Sequence, residues 1–131
     1  MAPNLVLHFP VYEIRLNVYV PTTEKDLLAT LNLSYEKNGL KDKDPLDSFQ
    51  ALSFSLYSDD DGHRVAHMII KKEHFNINTV VHESLHAAVT INNAVDIYFN
   101  EYTEEAFTYL TGYIAEQIYN NLINNDEQRG E

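Results

Sequence analysis

The segment "VVHESLHAAVT", residues 80–90, sets His82 and His86 four residues apart, with Glu83 directly after the first histidine. On a helix, residues i and i+4 are separated by about 40° around the axis and about 6 Å along it. Both imidazoles then point the same way and can converge on one ion at about 2 Å each. Glu83 is turned roughly 100° from His82, so it flanks such an ion more readily than it joins the pair as a ligand. A carboxylate in that place can take a proton from water that the ion activates, which is the mechanical reason for the HExxH spacing in metal-assisted hydrolysis. Cysteine is absent, so any ion must be held by His, Asp or Glu. Catalytic zinc keeps three protein ligands and an open fourth position. No histidine follows His86, so a downstream third ligand has to be a carboxylate. "NEYTEE", residues 100–105, offers Glu101, Glu104 and Glu105. That segment carries no function by itself, because acidic residues in a first helical turn are what the helix dipole favours.

The elements that must position these residues are read from hydrophobic period. "VYEIRLNVYV" alternates, with Tyr12, Ile14, Leu16, Val18 and Val20 on one face, and predicts a half-buried strand after Pro10. "PTTEKDLLATLNLSYEKNG" predicts a helix entered at Pro21 and Thr22 or Thr23 and left at Gly39, followed by the charged loop "LKDKDPLD". "ALSFSLYS" and "RVAHMIIKK" read as two strands joined through the tight turn "DDDGH", a hairpin. The period then changes. "NINTVVHESLHAAVTINNAV", capped by Asn76 or Asn78, and "NEYTEEAFTYLTGYIAEQIYNNLI" both repeat every 3.6 residues. The polar tail, residues 124–131, is expected to fray. Strand, helix, hairpin, helix, helix predicts a single α+β domain over residues 1–131, with a small, mostly antiparallel sheet and helices on one of its faces.

Composition narrows the partners. A net charge of −11 argues against a nucleic-acid backbone and against an anionic membrane surface. The opening "MAPNLVLHFP" lacks the basic and long apolar regions of a secretory leader, and no apolar run is long enough to span a bilayer. Together with the missing cysteines, this leads us to expect a cytoplasmic protein.

"VVHESLHAAV" followed by "TEEAFTYLTGYIAEQI" resembles the small zincin-type metallopeptidase-like proteins of tailed bacteriophages. It is similar more broadly to the gluzincins, in which a second helix delivers a glutamate ligand. The resemblance covers about residues 64–118 and is strongest over 80–115. It implies a minimal zincin-like domain holding Zn2+ and, if phage-encoded, a place in the host cytoplasm. In that pattern the ligand glutamate precedes a small and then an apolar or aromatic residue. This matches Glu105, Ala106 and Phe107, so the resemblance implies His82, His86 and Glu105 as metal ligands, with Glu104 second to Glu105. Tyr109, one turn after Glu105, becomes the candidate oxyanion donor, with Tyr102, His67 and His74 as alternatives. The strand over 64–72 is expected to hold an extended peptide or protein substrate by β-augmentation, or else to be a covered core strand. The chain departs from large gluzincins in having no room for the lobe that completes their cleft.

Three classes of function follow. The first is a zinc metallopeptidase with Glu83 as general base. The second is a zinc-binding interaction protein that catalyses nothing. The third is a metal-free accessory module that meets a partner through its acidic surface. Glu83 favours the first over the second, since a structural site has no use for a base beside its first histidine.

Overall fold

The computed structural model describes residues 2–23, 25–26, 29–30, 51–53, 57–58 and 64–123. Its strands are β1 (Leu5–Phe9), β2 (Ile14–Tyr19), β3 (Ala51–Ser53), β4 (Tyr57–Ser58) and β5 (Arg64–Ile70). They form one mixed sheet in the order β1–β2–β5–β3, with β4 also paired to β5. β1 and β2 are an antiparallel hairpin, Leu5 opposite Val18 through Phe9 opposite Ile14. β2 then runs parallel to β5, from Ile14 beside Arg64 to Tyr19 beside Ile69. β3 and β4 lie antiparallel to β5, with Ala51 opposite Ile70 and Tyr57 opposite Val65. The protein is thus α+β as expected, and the pairing of β3 and β4 with β5 is the expected hairpin. The turn over 59–63, most of the helix expected over 21–39, the loop after it and the tail over 124–131 lie outside the described residues.

Three of these four pairings are antiparallel, so the sheet is mostly antiparallel as expected, with β2–β5 the parallel pair at its centre. That central pairing makes the strand expected over 64–72 the covered core strand rather than a peptide-binding edge. β5 ends at Ile70, a 3-10 turn over Lys72–His74 follows, and the strand has neighbours on both sides, so its edge is not open to a peptide. Every residue from Val65 to Ile70 is buried. A strand shielded on both faces is a nearly continuous apolar run, and "VAHMII" is such a run.

Two helices, α1 (Ile77–Ala94) and α2 (Glu104–Ile118), cover one face of the sheet. Alternation decides which strand residues meet them. Leu7 and Phe9, then Ile14, Leu16 and Val18, then Ala66, Met68 and Ile70 form one core with Val80, Ala87, Ile91, Ile114 and Ile118. Residues of opposite parity point to the other face, where Tyr19 stacks on His67 with ring centroids 5.5 Å apart. Thr23 begins a helical turn after β2, its Oγ1 accepting the Asp26 amide at 3.1 Å. This agrees with the expected entry.

Local bonds fix where α1 starts and stops. Asn76 is extended and its Oδ1 accepts the Thr79 amide at 3.0 Å, as an N-cap does. At the other end the Ile97 amide donates to the Asn92 carbonyl at 2.9 Å and the Asp96 amide to that of Asn93 at 3.1 Å. This is a Schellman stop, in which the residue after the cap takes a left-handed backbone. Asp96 does so at φ 63, where glycine would be at ease. Arg64 then ties helix to sheet: Nη1 donates to the Ala94 carbonyl at 2.6 Å and Nη2 to that of Tyr12 at 3.0 Å. A cation at a helix C-terminus is favoured by the dipole as well. Asn92, fully buried, donates through Nδ2 to the Ala106 carbonyl at 3.2 Å and so joins the end of α1 to the beginning of α2.

His67 gives the sheet a pH dependence. It is 1% exposed; burial foremost, and the nearby Arg15 charge second, lower its pKa from 6.5 to about 4. The unfolded chain therefore binds this proton at a pH where the folded chain does not. Stability from this residue is fully present above about pH 6.5 and declines as pH falls toward about 4, by on the order of 2–3 kcal/mol. Urea midpoints measured across that window should fall with pH in the wild type. His67→Phe, which keeps a ring against Tyr19, should flatten that part of the curve; an unchanged slope would show that other groups carry it.

Candidate metal centre

The core side of α1 is written by Val80, Ser84, Ala87, Ala88 and Ile91, all buried. Their spacing puts His82 and His86 on the opposite, outward side of the helix, where both are exposed. The two Nε2 atoms are 3.3 Å apart. Two nitrogens each about 2.0–2.1 Å from one tetrahedral ion lie about 3.3–3.4 Å from one another. The rings thus stand at the separation that a shared zinc requires. The same approach also allows one ring to donate an N–H to the other.

Glu83 occupies the boundary between core and solvent. Its side chain is 7% exposed against 68% for His82, and its Oε2 is 3.6 Å from His82 Nε2. The three donor atoms lie within 4.8 Å of one another, the one such group among the described residues. Two exposed imidazoles and a sheltered carboxylate are a donor set chemically suited to zinc, which takes nitrogen and oxygen ligands. Glu83 is on the flank expected from its 100° offset.

None of Glu101, Glu104 and Glu105 brings a carboxylate oxygen within 4.8 Å of all three donors. All three are exposed, as is Tyr109, at 76%. The Asn92 bond to Ala106 sets the start of α2 beside the end of α1. His86 lies six residues before Asn92, about 9 Å along the axis. Side chains lean toward the N-terminus of their own helix, so in this antiparallel pair His86 and Glu105 lean apart. Among the other candidates, His67 is buried on the face of the sheet turned away from α1, and Tyr102 is 88% exposed in the loop before α2. His74 sits in the 3-10 turn. Sequence reasoning did not anticipate Arg64 and Asn92, which hold α1 in place. A buried Asn and an Arg opening a strand have no periodic signature.

Comparison with family models, curated proteins and solved structures finds no match for this chain. No helix among the described residues is long and apolar enough to cross a membrane.

The histidine pair makes a direct prediction. Zinc titrated by calorimetry should bind with a stoichiometry near one per chain. Either His82→Ala or His86→Ala should weaken it by orders of magnitude, since a remaining single imidazole holds zinc poorly. Full occupancy in the double variant would exclude the pair as the centre.

Proposed function

We propose that the protein is a zinc-dependent peptide hydrolase, and the observation that carries this reading is the sheltered Glu83 carboxylate beside two exposed, convergent imidazoles. His82 and His86 would hold the ion, with Glu105 the proposed third ligand and Glu104 the alternative. Zinc, when bound, supplies Lewis acidity that polarises a carbonyl and lowers the pKa of water. The chain's own part is proton handling. Glu83 accepts a proton from the attacking water and returns it to the leaving amine. Its near-complete burial limits competing solvation and holds the carboxylate close to the ion's position. Tyr109 is the proposed donor to the developing oxyanion. A non-catalytic zinc protein remains the second reading, favoured by the separation of Glu105 from the pair.

Glu83→Gln separates the two. The amide cannot accept the proton, so the variant should keep its fold and zinc content and lose hydrolysis of peptide libraries. Hydrolysis that survives in this variant would remove Glu83 as the base, and a wild type inert on every extended peptide would favour the non-catalytic reading.

The third ligand is decided by affinity. Glu105→Ala should cost about 10–100-fold in zinc binding, by analogy with outer-shell losses, and Glu104→Ala little. A larger loss for Glu104→Ala would transfer the role and withdraw Tyr109, which shares a face with Glu105.

A further inference from the structure

The charge of this chain is not spread evenly. Residues 73–128 contain no lysine or arginine. Within that span Glu73, Asp96, Glu101, Glu104, Glu105 and Glu116 are exposed. Among the described residues, Glu101, Glu104, Glu105 and Glu116 are paired with no cation. Among the described residues, the same span carries nine of the ten exposed large hydrophobic side chains, Val11 being the other. Six of the nine are aromatic, with Tyr102 at 88%, Tyr109 at 76%, Phe99 at 66% and Tyr98 at 57% exposure.

The backbone that carries Tyr98, Phe99 and Tyr102 is held by local bonds. Asn100 Oδ1 accepts the amides of Tyr102 at 2.7 Å and Thr103 at 3.1 Å, and Thr103 Oγ1 accepts the Asn100 amide at 2.9 Å. These reciprocal bonds form a capping box that locks the loop before α2. Along α2, Glu105, Tyr109, Gly112 and Glu116 follow at intervals of four, three and four, which puts them on one outward stripe. Gly112 is mid-helix, where glycine is unfavourable relative to alanine. A Cβ added there would meet nothing within 4 Å. The fold itself therefore does not require the missing side chain, and the gap leaves open ground between Tyr109 and Glu116.

We infer that this face is a docking surface for a lysine- and arginine-rich polypeptide segment, whose cations lie on the rings of Tyr102 and Tyr109 among the carboxylates of Glu101 and Glu116. Electron-rich phenol faces attract ammonium and guanidinium groups, and unpaired carboxylates around them supply the complementary charge. A second copy of the chain is the weaker occupant, because two molecules of net charge −11 repel. The inference holds with or without an ion between His82 and His86. If the hydrolase reading is right, it names basic segments as the substrate class.

The test uses the full chain and a short fluorescent peptide of arginine and lysine alternating with serine, followed by anisotropy. The basic peptide should bind, more weakly as salt is raised, and its glutamate counterpart should not. Tyr102→Ala with Tyr109→Ala should weaken binding about tenfold. Glu101→Gln with Glu116→Gln should weaken it and reduce its salt dependence. Gly112→Gln should raise the melting temperature yet lower affinity, so lost docking is not mistaken for unfolding. His82→Ala with His86→Ala should bind the peptide as wild type does, because the docking does not run through a bound ion. Equal binding of basic and acidic peptides, full binding without the two tyrosines, or loss of binding in the histidine variant would overturn the inference. So would a dimer seen in sedimentation that the tyrosine substitutions dissociate.

Discussion

A helix lying on a sheet can bury only one side, and that constraint governs this molecule. Val80, Ser84, Ala87, Ala88 and Ile91 of α1 are all buried, and the direction in which they face settles where everything else on the helix goes. His82 and His86 must project outward, and Glu83 must sit on the shoulder. The small side chains among the five matter because they let α1 and its neighbours approach closely. Rotating the helix by one residue would carry Glu83 out of its shelter and swing the imidazoles toward the sheet. The core thus sets the chemistry at the surface. The clamps at Arg64 and Asn92 resist that rotation at the C-terminal end of α1, where it would begin.

The site that results divides its labour by solvent access. The imidazoles are open to solvent, whereas the carboxylate beside them is held where water is scarce. A carboxylate kept this way is screened less and positioned more narrowly than one on the surface. The cost of sheltering a carboxylate is lessened by a neighbouring cation, and an ion held by His82 and His86 would provide one.

How much of this was legible in the sequence follows from the range of the interactions. The HExxH helix, the alternation of β2 and the hairpin onto β5 are local patterns, and they appear in the structure near the expected bounds. The second helix begins at Glu104 rather than Asn100 because Asn100 and Thr103 bond each other and make a turn of their own. The parallel pairing of β2 with β5 was not legible, since nothing in either strand records which partner lies fifty residues away. The level at which α2 passes α1 was equally hidden. Sequence spacing counts residues from His86 to Glu105, but the continuation of α1 to Ala94 decides how far apart they are carried.

The central parallel pair has a consequence for the order of folding. Ile14 meets Arg64 only after the whole intervening chain has been made and its ends brought together, a loop closure whose entropy must be met before any of its contacts reward it. The β1–β2 hairpin and the α1–α2 pair are made of near neighbours and can form sooner. His82 and His86 belong to the most local class of all, one turn of one helix. Their convergence exists wherever that turn exists, whereas the shelter of Glu83 needs the sheet beneath it. During synthesis the paired imidazoles can therefore converge before the shelter of Glu83 is built.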